Sequence, residues 1–126
     1  MAPRDGQPVI LVVEDVGLVR MNLSITLEDS GFSVLEASSV DSAIAMLEGA
    51  QGTIDIVLTD LNLSGAKTGA DLLRWVAAHQ PSVVRAFCTA HAGLAPVDGV
   101  SAPNLVFDKP FDPRILSRDL WAAMSR

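Results

Sequence analysis

The sequence has little of several residue types, and each shortage excludes a class of protein. Tyrosine is absent, and aromatic residues make up only 5% of the 126 residues. Cys88 is the single cysteine, so no internal disulfide can form, which fits the reducing cytoplasm. No apolar run approaches the roughly 20 residues that a membrane-spanning helix needs. The first residues also lack the apolar stretch of a signal peptide. We therefore expect neither a disulfide-stabilised secreted protein nor a membrane protein.

Positive charge is scarce as well. Nine Lys and Arg residues stand against 15 Asp and Glu residues, which gives a net charge of −6. An acidic surface repels phosphate backbones, so direct binding to nucleic acid is not expected. Hydrophobic residues make up 49% of the chain, enough for a substantial core. We expect a single domain over residues 1–126, with residues 1–7 as a flexible N-terminus.

Apolar runs alternate with segments of helical spacing. The runs predict five strands: Pro8–Val13, Phe32–Ala37, Ile54–Asp60, Val83–Thr89 and Leu105–Phe107. The spacing of Leu18, Met21, Ile25 and Leu27 predicts a first helix that ends at Gly31. A second helix is capped by Ser39 or Asp41, a third covers about Gly69–His79, and a last one follows Asp112 and Pro113. Glycines and prolines between Ala90 and Asn104 disfavour a regular helix there. Such alternation predicts a parallel α/β sheet.

Chemically active side chains follow four of the predicted strands. In a parallel sheet the carboxyl ends of the strands share one edge. That edge would collect Glu14, Asp15, Asp60, Thr89 and Lys109. Two like charges about 4 Å apart repel by about 4 kcal/mol at an effective dielectric near 20, so clustered acids favour a bound cation. Mg²⁺ prefers such oxygen ligands, and the backbone carbonyl of Asn62 is placed to add another.

The chain resembles the receiver domain of two-component response regulators from Ile10 to Trp121. Four segments carry the resemblance: Val12–Asp15 for the acidic pair, Leu58–Leu63 for the phosphoacceptor, Phe87–Ala90 for the hydroxyl and Lys109–Phe111 for the lysine motif. It implies a flavodoxin-like doubly wound fold with a five-stranded parallel sheet in the order 2-1-3-4-5 and a degenerate fourth helix.

The resemblance also implies a chemistry. A histidine kinase or histidine phosphotransfer protein would pass a phosphoryl group to Asp60, which forms an acyl phosphate. Glu14 and Asp15 would hold Mg²⁺, Lys109 would pair with a phosphoryl oxygen, and Thr89 would move to bind another. The Lys109–Pro110 peptide would be cis. Such a protein is no enzyme beyond its own phosphorylation and dephosphorylation, and it signals by contact with a downstream protein target or by passing the phosphoryl group on in a phosphorelay.

Among the departures of the sequence from the family pattern, two bear on how a signal would be relayed. Val106 stands where receivers often carry an aromatic switch residue, and Phe107 should face the other side of its strand. The segment after Thr89 resembles that of single-domain alphaproteobacterial receivers without this switch, which implies that output uses ordering of residues 90–104. His91 is expected near the predicted site. For this residue a neutral or structural role is favoured over control of the access of hydrolytic water to the phosphoryl group.

Three other functions compete with phosphoryl acceptance. A receiver-like module can bind proteins without being phosphorylated. A Toprim-like or haloacid-dehalogenase-like enzyme also places acids at strand ends around Mg²⁺. Both enzymes use an Asp-x-Asp pair, and Asn62 stands at the second position here. A dehalogenase-type nucleophile also belongs on the first strand.

Overall fold

A computed structural model of the chain describes residues 6–50, 52–60, 63, 66–89, 104–108 and 112–124. The strands are β1 (Val9–Val13), β2 (Ser33–Ala37), β3 (Ile56–Asp60), β4 (Val84–Thr89) and β5 (Asn104–Asp108). The helices are α1 (Gly17–Asp29), α2 (Val40–Gly49), α3 (Gly69–His79) and α4 (Pro113–Met124). The expected irregular segment before β5 and most of the expected flexible N-terminus lie outside the described residues. No described helix has the length and apolar character to cross a membrane.

The strands form one parallel sheet in the order β2-β1-β3-β4-β5. This confirms the predicted flavodoxin-like topology. In the register, Val13 lies opposite Thr59, and Asp60 lies opposite Cys88. Thr89 in turn lies opposite Asp108. The carboxyl ends of β1, β3, β4 and β5 therefore lie along one edge of the sheet.

Each face of the sheet carries its own apolar core. The side chains of β1 are all buried and alternate between the two cores. Leu11 and Val57 pack with Leu72 of α3 on one face. Ile10 and Leu58 pack on the other face with residues of α1 and α4. Burial on both faces explains why the strands are continuous apolar runs instead of alternating patterns.

Residues that were predicted to cap or end helices are found at the helix ends. Ser39, and not Asp41, caps α2, because its Oγ accepts a hydrogen bond from Ser42 N at 3.1 Å. Gly31 follows α1 with φ of 98°, a conformation that glycine adopts without strain. Asp112 caps α4, since its Oδ1 accepts a hydrogen bond from Arg114 N at 2.8 Å.

Helix α1 forms where it was predicted, and only part of its apolar spacing faces the core. Leu23 and Leu27 pack into the core with α4. The side chains of Leu18, Met21 and Ile25 are 65%, 47% and 50% exposed. At 100° per residue these three fall in one arc, opposite Leu23 and Leu27. The spacing that predicted the helix was therefore in large part that of a solvent-facing apolar surface.

Candidate functional site

Oxygen-bearing residues end three neighbouring strands at the same edge. Asp60 is the last residue of β3, and Thr89 is the last residue of β4. Glu14 follows β1 directly, and Val13 before it lies opposite Thr59, the residue before Asp60. Asp15 comes one residue later. The structure thus brings together the backbone positions of the four predicted site residues that it describes.

The segment after β1 is held by hydrogen bonds on several sides. Glu14 is buried, and its N–H donates to the carbonyl of Ala37 at 3.1 Å. Its Oε1 accepts from Val16 N at 3.2 Å. Its carbonyl accepts from Nη1 of Arg20 at 2.7 Å. These bonds fix the backbone that carries Asp15, a half-buried residue, beside the end of β3.

The surroundings of Asp60 change from core to solvent within one residue. Thr59 is fully buried, and its Oγ1 donates to the Asp60 carbonyl at 2.9 Å. Cys88, opposite Asp60 in β4, is buried in the core shared by α1 and α4. Asp60 itself is half-buried. An acid at this boundary is fixed by the strand and still accessible to a reactant.

The connection from β3 to α3 is anchored at its described positions. Leu63 is buried in the core beneath α2 and α3. Lys67 Nζ donates to Asp41 Oδ1 of α2 at 2.7 Å, and this hydrogen bond raises the pKa of Lys67. Thr68 Oγ1 accepts from Asp71 N, and the Thr68 N–H donates back to Asp71 Oδ2 at 2.8 Å. The N–H of Thr68 thereby lowers the pKa of Asp71.

The donor set suits Mg²⁺ as an open site. Among the described residues, no three His, Cys, Asp or Glu side chains form a group that could hold a metal ion. Mg²⁺ does not require one, because it takes one or two carboxylates and fills its other positions with water and phosphate oxygens. Asp15 and Asp60 are hard oxygen donors at adjacent strand ends. Since Glu14 Oε1 accepts the Val16 N–H, contact through water fits this carboxylate better than direct ligation.

Several predicted site residues cannot be compared with the structure. Asn62, His91, Lys109 and Pro110 lie outside the described residues, and so do the side chains of Thr89 and Val106. Their predicted roles stay predictions. Phe107 is described, and it packs in the core shared by α1 and α4.

Sequence reasoning missed Arg20 and Glu36. Nε of Arg20 donates to Oε1 of Glu36 in β2 at 3.0 Å. The register places Glu36 opposite Val12, near the end of β1. The only signal in the sequence is an arginine one turn into the helix that follows the acidic pair. It cannot be interpreted without knowing that β2 lies beside β1.

The family model of the response regulator receiver domain matches residues 10–118. The chain belongs to this family. A sensor kinase, CckA of Brucella abortus, is 31% identical over 84% of the chain, which spans 11% of that protein. The alginate biosynthesis transcriptional regulatory protein AlgB of Pseudomonas putida is 31% identical over 79% of the chain, which spans 22% of it. The chain thus corresponds to a small part of these curated relatives.

Solved receiver structures share the fold over nearly the whole chain. A response regulator receiver protein from Sinorhizobium medicae has a TM-score of 0.86 at 25% identity and covers 95% of this chain and 96% of its own. A receiver domain protein from Clostridium thermocellum has a TM-score of 0.81 at 28% identity, with coverage of 94% and 95%. These matches confirm the predicted family and fold, and they leave the Toprim and dehalogenase alternatives without support.

Proposed function

We propose that this receiver accepts a phosphoryl group on Asp60 from a sensor histidine kinase or a histidine phosphotransfer protein, in a reaction that depends on Mg²⁺. The observation that carries the proposal is the adjacency of the acidic pair Glu14–Asp15 and Asp60 at neighbouring strand ends in a chain of the receiver family. We further propose that residues 1–126 act as one receiver domain in the cytoplasm.

The reaction is a displacement at phosphorus. A carboxylate oxygen of Asp60 attacks the phosphorus of a phosphohistidine, the P–N bond breaks, and its electron pair returns to the imidazole. The product is an acyl phosphate. Bound Mg²⁺ would neutralise charge on the transferring group. Asp15 and Asp60 would hold it together with the backbone carbonyl of Asn62.

Two further residues would bind the phosphoryl group once it is transferred. Lys109 follows the end of β5 and would offer its ammonium to one phosphoryl oxygen. Thr89 ends β4 and would offer its hydroxyl to another. With Val106 in place of an aromatic switch residue, the movement of Thr89 would reach the surface through residues 90–104. A downstream protein would read that change.

The exposed face of α1 supports a protein as the phosphoryl donor. Val16, which follows the acidic pair directly, is exposed, and so are Leu18, Met21 and Ile25 on one side of the helix; we call these four residues the α1 face. Exposed apolar side chains that group on one side of a helix are typical of a protein contact. A donor that covers the α1 face would bring its phosphohistidine to the edge where Asp60 lies.

Incubation with Mg²⁺ and acetyl phosphate tests the proposal, with intact-protein mass as the readout. The wild type should gain one phosphoryl group, and Asp60→Asn should gain none. Asp55→Asn is a matched control, because Asp55 directly precedes β3 and so lies at the opposite end of the strand from Asp60. There its Oδ2 accepts a hydrogen bond from Val9 N at 2.8 Å. It should gain the group as the wild type does. A folded wild type that gains none would instead favour a receiver-like binding module.

A further inference from the structure

Arg20 joins three elements that meet at the acidic pair. It lies one turn into α1, and its guanidinium turns back toward the end of β1. Nη1 donates to the Glu14 carbonyl at 2.7 Å, and Nε donates to Glu36 Oε1 of β2 at 3.0 Å. Its backbone N–H donates to the Val16 carbonyl at 2.9 Å. One side chain thus connects the acidic segment to both α1 and β2.

The start of α1 lacks the features that hold the other helix starts. Val16 at its N-cap makes no side-chain capping bond, and the first turn contains no acidic residue. Helices α2 and α3 both begin with a reciprocal capping box. A helix start without a side-chain cap at its N-cap residue leaves its first backbone N–H groups to other partners. At α1 the contact of Arg20 with the Glu14 carbonyl adds a restraint on the segment that carries Asp15, beside the bonds of Glu14 to Ala37 and Val16.

A guanidinium beside a cation site has two opposed effects. It orders the backbone that carries the ligands, which strengthens metal binding. It also repels the cation, which weakens binding. The ion pair with Glu36 reduces the repulsion, and the pair is only partly screened because the Arg20 and Glu36 side chains are 24% and 46% exposed. The ordering of the backbone that carries the ligands should therefore outweigh the repulsion between the guanidinium and the cation.

We propose that Arg20 is a positioning residue for Mg²⁺. It holds the Glu14 carbonyl so that Asp15 faces the ion, and Glu36 compensates its charge. The inference rests on the proposed function, because it assumes a divalent cation at Asp15 and Asp60. Substitution of groups that orient metal ligands typically weakens metal affinity about 10- to 100-fold.

The test is a calorimetric titration of the unphosphorylated full chain with Mg²⁺. Arg20→Ala should raise the Kd about 10-fold. Arg20→Lys should raise it by about 3-fold or more, because an ammonium keeps the charge but cannot reach both partners as the planar guanidinium does. Glu36→Gln should raise the Kd at low salt, and the difference should shrink at high salt as the uncompensated charge is screened. Arg118→Ala, which removes an exposed arginine of α4, should leave the Kd unchanged.

The outcomes separate this inference from the proposed function. An Arg20→Ala protein that binds Mg²⁺ as tightly as the wild type, or more tightly, overturns the role of Arg20. An Arg20→Lys protein with the wild-type Kd for Mg²⁺ also overturns the role of Arg20. This variant provides the test if circular dichroism shows that Arg20→Ala does not fold. A wild type that takes up no Mg²⁺ overturns both. Phosphorylation of Asp60 with unchanged Mg²⁺ affinity in the Arg20 variants overturns only the inference.

Discussion

Trp121 of α4 donates a hydrogen bond from its indole Nε1 to the carbonyl of Ser30 at 3.0 Å. The same ring lies against Phe32, with the ring centroids 5.1 Å apart. Ser117, one turn earlier in α4, donates from its Oγ to Oγ of Ser30 at 2.9 Å. The last helix is therefore fastened to the turn between α1 and β2 by two hydrogen bonds and an aromatic contact.

Replacing Gly31 in this turn should destabilise the fold. Gly31 has φ of 98°, and an added Cβ would lie 3.3 Å from Cζ2 of Trp121. We expect Gly31→Ala to lower the free energy of unfolding by about 1–2 kcal/mol, measured by urea denaturation. Gly49→Ala is the control, because its Cβ would meet nothing within 4 Å at the end of α2. Equal stability of Gly31→Ala and the wild type would contradict the prediction.

The capping box of α3 should make stability depend on pH through Asp71. Its pKa lies below the ordinary value of 3.8 because the Thr68 N–H and then Arg74 favour the charged form. Its contribution is therefore full above the unfolded pKa and is lost as the pH falls through the folded pKa. We expect Asp71→Asn to have a lower Tm than the wild type at neutral pH.

That difference in Tm should narrow as the pH falls below the ordinary Asp value of 3.8 and through the lowered pKa of Asp71, because the wild type then loses the charged cap as well. Thr68→Ala is the control, since it removes the uncharged half of the same box. Its lower Tm should persist across the range. A difference for Asp71→Asn that stays constant however far the pH is lowered while both proteins remain folded would argue against a charged cap.

Mg²⁺ should stabilise the folded chain by mass action. At ten times its Kd, a ligand that binds only the folded state adds about 1.4 kcal/mol, which corresponds to a few degrees in Tm. We expect this rise in the wild type and in Asp55→Asn, and its reversal by a chelator. Asp15→Asn and Asp60→Asn should lose the rise, since each removes a carboxylate from the site. A full rise in Asp15→Asn would exclude that residue as a ligand.

The α1 face should matter for a protein donor and not for a small one. Met21 is exposed, so Met21→Glu should change stability by no more than about 0.5 kcal/mol. We expect it to slow phosphorylation by the cognate kinase or phosphotransfer protein at least several-fold and to leave the rate with acetyl phosphate unchanged. Ala78→Glu, at an exposed position of α3, is the control. Loss of both rates in Met21→Glu would point to damage at the site itself.

The strand ends could be predicted because each is marked in the local sequence. Val9–Val13 and Ile56–Asp60 are apolar runs that stop at a carboxylate, and burial on both faces leaves such runs no other place in an α/β fold. Parallel pairing then brings Glu14 and Asp60 to the same edge. The sheet order itself came from the family resemblance and not from the pattern of residues.

The burial of α1 and the contacts of Arg20 could not be predicted in the same way. Apolar residues occupy most sides of α1, so periodicity alone does not decide whether Met21 or Leu23 meets the core. That choice depends on where α4 packs. The Arg20–Glu36 pair spans 16 residues of sequence and exists only because β2 pairs with β1.

The position of β2 gives Glu36 a second consequence. This strand is the outermost one on its side of the sheet, so it offers backbone donors and acceptors to any extended chain that approaches. A charged residue on such a strand discourages edge-to-edge aggregation. Apolar replacement at Glu36, for example Glu36→Val, would remove that protection, and the chain would begin to form intermolecular β-structure at high concentration.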